Sequence, residues 1–176
     1  MLTTALDVAT VATGLLVARV TLGLLMAAHG SQKLFGWFGG HGLAGTSGMF
    51  ESLGFRPGKL FATVAAGTEV ASGVLVALGL FGPIGPALML SVMIVAAVTV
   101  HLPNGLFAAK NGIEVPLLYA VGAAALALTG PGAYSLDAVL GLGTLSSPVV
   151  AGVALAAAIL GGIGNLMARR QPALPN

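Results

Sequence analysis

The sequence predicts an all-α membrane protein, a polytopic bundle of five transmembrane helices. Three observations carry this. Of its 176 residues, 57% are hydrophobic and 7% charged. An ordinary soluble domain is roughly a quarter charged, and seven basic and five acidic side chains cannot solvate the surface of a fold this size. Five apolar stretches (8–28, 60–80, 84–101, 115–129 and 148–167) approach the roughly 20 residues that a span requires. Drawn with those spans, the basic residues also become one-sided.

Each element follows from local signals. The first stretch is interrupted only by Arg19, and its Asp7 and lack of a positive leading region argue against a cleaved leader. The connection 29–59 is glycine-rich, carries Trp37 and Phe38, and is expected at the membrane interface, where Trp belongs, with a short helix around Met49 to Leu53. "FGPIGP", Phe81 to Pro86, is a tight turn that makes the second and third helices antiparallel neighbours. "HLPNGL" closes the third helix and "TGPGAYSLD" follows the fourth, which is the shortest. "SSPVV" supplies Ser147 as an N-cap and Pro148 at the first helical position of the fifth. That last helix carries Gly152, Ala156, Ala157 and Gly161, which suit close helix contact within the bundle or with a second copy. The whole chain reads as a single membrane domain.

Topology follows from charge. Lys33, Arg56, Lys59, Lys110, Arg169 and Arg170 fall on one side, and Asp7 and Asp137 on the other. By the positive-inside rule the C-terminus is expected in the cytoplasm and the N-terminus outside, as for a multi-pass protein of the bacterial inner membrane. A net charge of +2 is too small to suggest nucleic acid. The absence of cysteine removes disulfides, thiolate metal sites, iron–sulfur clusters and thiol redox chemistry.

Arg19 needs a partner, because an unpaired charge near the bilayer centre costs about 2.5–3.5 kcal/mol on insertion scales. Glu69 is the one acid within the second helix. With helix ends taken at Ala28 and Leu60, both lie about 13–14 Å deep, so a buried Arg19–Glu69 pair is expected. Its plainest role is a clamp between helices; the functional alternative is the wall of a polar cavity. His29, Lys33, His101 and Glu114 flank the same side, although each also suits a helix terminus or interface by itself. The expected pocket lies between the first four helices, with Arg19 and Glu69 at its floor and the other four at its mouth. A haem held by His29 and His101 is not expected, since ligating histidines normally sit inside a bundle. Nor is zinc, for want of paired ligand spacing on one helix.

The stretches "RVTLGLLMAAHGSQKLFG", "GTEVASGVLVALGLFGP", a histidine closing the third helix, and "GIEVPLLYAVGAAALALTGPGAYSLD" resemble the DoxX family of small bacterial membrane proteins. The resemblance spans about residues 16–137. It implies a four-helix core, to which this chain adds one C-terminal transmembrane helix. It places Arg19, His29, Lys33, Glu69, His101 and Glu114 on family-typical positions and makes them the candidate ligand-binding residues. It also implies a link to quinones: some relatives are subunits of a thiosulfate:quinone oxidoreductase, and others are tied to quinone or oxidative-stress detoxification. A quinone is therefore the expected cofactor, with electrons from a soluble redox enzyme or a larger membrane complex. Two other classes stand beside this one: a membrane scaffold that recruits soluble redox enzymes, and a transporter of small solutes or lipids.

Overall fold

The computed structural model describes residues 2–170, with side chains from residue 8 onward. The described residues form α-helices and no strands: α1 (Leu2–Phe35), α2 (Gly42–Ser52), α3 (Gly58–Leu78), α4 (Ile84–Ala96), α5 (Glu114–Thr129), α6 (Leu136–Leu140) and α7 (Pro148–Met167), with short 3-10 and π turns between them. Among the described residues four helical stretches are long and apolar enough to cross a membrane: Val8–Phe35, Gly58–Leu78, Ile84–Asn104 and Pro148–Met167. The fourth expected span, α5, is also apolar but has only 16 residues, or roughly 24 Å at 1.5 Å per residue.

α3 packs against α1, α2 and α4, and α4 packs against α3, α5 and α7. The core between them is built from Met26, Val76, Met89, Met93, Tyr119, Ala123 and Leu126. A second cluster, Phe50, Phe55 and Ala62, lies under α2. Outward faces are apolar as well: Val17, Leu24, Leu118, Val121, Val153 and Leu160 are all exposed. A helix apolar on every side suits a lipid bilayer rather than water.

The ends obey local chemistry. Gly79, left-handed at φ 64°, terminates α3, and its N–H bonds to Val76 O while that of Leu80 bonds to Leu75 O, the pairing of a Schellman cap. Ser147 caps α7 by accepting from Val150 N, with Pro148 at the first position as expected. α4 does not stop at Ala96. It continues through a π turn, Ala97–His101, and a 3-10 turn, Leu102–Asn104.

α7 docks on α4 and α5 of its own bundle. The small residues it buries are Ala151, Ala158 and Gly162; Gly152, Ala156, Ala157 and Gly161, named from sequence, are on the exposed side. The turn after α7 is tied to the turn after α2, through Arg170 N to Gly54 O and Arg169 Nε to Leu53 O. Six of the seven basic residues therefore gather at the end where α1 and α7 finish, and Asp137 lies at the other.

Candidate functional site

The site depends on how α1 meets α3. A methyl group added at Gly23 would stand 2.5 Å from Ala77 N and Gly73 O, one at Gly73 2.5 Å from Ala27 N and Gly23 O, and one at Gly30 2.7 Å from Ala66 O. Backbone touches backbone along this seam, as small residues permit between membrane helices. The register brings Arg19 level with Ala77 and Gly79. Glu69 falls instead beside the last turns of α1.

The expected Arg19–Glu69 pair is therefore not formed. Arg19, 3% exposed, donates Nη1 to Ala77 O and Nη2 to Tyr134 O. It thus neutralises the carbonyl end of α3, where a cation is favoured by the helix dipole. Gly79 must lack a side chain here, since a Cβ would come within 3.2 Å of Arg19 Cζ and 2.6 Å of Ser135 Cβ. Next to it Asp137, 2% exposed, receives Phe81 N–H at 2.8 Å on Oδ1 and Gly82 N–H at 2.6 Å on Oδ2. Ser135 caps α6 by accepting from Ala138 N at 3.2 Å. The space beside Arg19 is about 10 Å³, the scale of one water. The Asp137 end is thus a latch of backbone hydrogen bonds with no room for an organic ligand.

Glu69 pairs with Lys33 instead, through Oε1. The pair sits on the wall of a cavity of about 230 Å³. α4 supplies the floor with Ser91, Val92, Val95 and Thr99; α3 supplies Val64, Thr68 and Glu69; α2 supplies Met49 and Phe50; and α7 supplies Asn165. This is not the space between the first four helices. It is a groove over α4, flanked by α3 and α7 and closed at one end by α2. Met49 and Val64, both on its lining, are also exposed on the outer surface. The π turn carries Thr99 into the lining, and such turns are common at functional sites.

Of the six candidate residues, only Lys33 and Glu69 line this cavity. His29 is exposed, with its ring edge-on to Tyr119 at 5.9 Å. His101 Nδ1 lies 2.9 Å from Asn111 O, and Glu114 Oε2 accepts from Ala108 N at 2.8 Å. These last two tie the α4–α5 connection together. Sequence reasoning passed over Tyr119, Thr68, Thr99 and Asn165. Tyr119 is buried in the core with its ring against His29, and its position as the one polar aromatic within α5 was the signal that could have found it. Asp137 was read only as a marker of sidedness.

A comparison with protein families matches the DoxX family over residues 14–102. The matched segment holds Arg19, Lys33, Glu69 and the cavity floor on α4. Glu114, Asp137 and α7 lie beyond it. No curated protein and no solved structure matches the chain.

Proposed function

The chain belongs to the DoxX family, and from that premise we propose that it is the membrane subunit of a quinone-linked redox or oxidative-stress detoxification system. The ligand is a quinone-like ring seated in the groove over α4. The observation that carries this reading is a single ion pair, Lys33–Glu69, on the wall of an otherwise mainly apolar cavity. An engineered apolar cavity of about 150 Å³ takes up benzene, so about 230 Å³ suffices for a substituted ring. A lipid-soluble tail leaves between Met49 and Val64, and Lys33 meets the ring oxygen with a charged donor. Without cysteine the chain has no thiol couple, so electrons are passed to or from a partner protein. By the positive-inside rule the cavity end, with its six basic residues, faces the cytoplasm.

The test is a thermal-unfolding titration of the purified protein with decylubiquinone and with menadione. A bound ligand raises the melting temperature with the logarithm of its concentration. Wild type is expected to shift. Ala65→Phe and Ala96→Phe, which fill the cavity, are expected to fold and to lose the shift. The reading fails if neither quinone shifts wild type, or if the filled variants shift as much as wild type does.

A further inference from the structure

Glu69 is 1% exposed and uses only one of its oxygens within the protein. Oε1 holds Lys33; Oε2 is buried without a partner, one of two such side-chain atoms among the described residues, with Arg19 Nε. The other well-described acids are served differently. Asp137 receives N–H groups on both oxygens, and Glu51 and Glu114 receive them from Gly58 and Ala108. Around the cavity the Thr68 and Thr99 hydroxyls are spent on the Val64 and Val95 carbonyls of their own helices, and Asn165 donates to Gly161 O.

A buried carboxylate oxygen is costly to leave bare, and as an ionised group it can only accept. What completes it must bring a donor. Lys33 beside it carries three N–H groups, of which one is on Glu69, so the same spot also offers donors. An atom seated between them has to donate and accept at once, which is the chemistry of a hydroxyl. A ketone or ether oxygen would satisfy Lys33 but would set its lone pairs against Oε2. On the cavity reading above, we infer that the site selects a hydroxyl-bearing ring, a phenol or the reduced quinol, over the corresponding quinone or ether. Glu69 and Lys33 are then the specificity-determining residues.

Thymol, thymol methyl ether and thymoquinone test this on one ring skeleton. Their affinities for the purified wild-type protein are compared by calorimetry under nitrogen. A hydrogen bond to a charged group implies that thymol binds about 10- to 100-fold more tightly than its ether, with thymoquinone weaker than thymol. In Glu69→Gln the preference for thymol over the ether shrinks several-fold while the ether's own affinity is little changed. If Glu69→Gln fails to fold, the wild-type comparison alone decides. Equal affinity of thymol and its ether for wild type overturns the inference and leaves the ring-binding cavity standing. Failure of all three to bind removes the inference and the cavity reading together.

Discussion

At the Asp137 end of the bundle, buried charge is spent on backbone. Arg19 takes carbonyls of Ala77 and Tyr134, Asp137 takes amides of Phe81 and Gly82, and the remaining space is about 10 Å³. At the Lys33 end, the charges take each other, leave buried Glu69 Oε2 without a partner and border about 230 Å³. Each arrangement buries charge, Arg19 and Asp137 in one and Glu69 in the other. The difference shows that an intramembrane charge does not by itself mark a ligand site. A charge that pins helix ends is scaffold; on the proposed function, a charged group with an unpartnered oxygen beside space is a site.

The sharpest way to break this contrast is at Asp137. Asp137→Ala strands the Phe81 and Gly82 N–H groups, so it is expected to cost about 2–5 kcal/mol, from roughly 1–3 kcal/mol for each donor left without its partner. Thermal unfolding in detergent measures it. A loss below about 1 kcal/mol would mean that the latch does not hold the turn. Midway between the ends, Gly73→Ala forces α1 and α3 apart where their backbones touch. Overpacking of this kind costs about 1–3 kcal/mol, and it should also weaken ligand binding, because the same seam sets the reach of Lys33 to Glu69. Unfolding and ligand titration of one variant check both. The smallest effects are expected at His101→Ala and Glu114→Gln, each at most about 1 kcal/mol for a single exposed hydrogen bond, with ligand affinity unchanged. A large loss of affinity in either would move the site toward the α4–α5 connection.

Much of the architecture could be read from the chain because it rests on local rules. The helix turns, the Ser147–Pro148 start of α7 and the one-sided basic residues need only apolar length, cap chemistry and charge. The pairing of Arg19 could not be read that way. It was reckoned from assumed helix ends, and "HGSQK" looked like the end of the first helix. In the structure Gly30 is inside α1, which runs on to Phe35, and α3 begins at Gly58. From those ends Arg19 is roughly 24 Å along and Glu69 roughly 16 Å, so they cannot meet. Gly30, which the sequence places in the connection 29–59, is a contact point inside α1, since its missing side chain admits Ala66 O and Val70 N. The cavity was hidden for a related reason. Its walls come from α1, α2, α3, α4 and α7, and no spacing along the chain announces that α7 docks on α4 across the groove from α3. Lys33 and Glu69 were both named from sequence; what was missing was that they belong to each other.

On the proposed function, Lys33 and Glu69 serve a ligand whereas Arg19 and Asp137 serve the fold. The double variant Lys33→Met/Glu69→Leu tests it most directly, because it removes both charges and strands neither. Replacing a buried pair by apolar residues is often neutral or stabilising, by about 1–4 kcal/mol, so this protein should unfold at or above the wild-type temperature. Its quinone-induced shift in melting temperature should be gone. If the double variant instead unfolds several degrees lower and still shows the full ligand shift, the pair is a structural clamp and the site lies elsewhere.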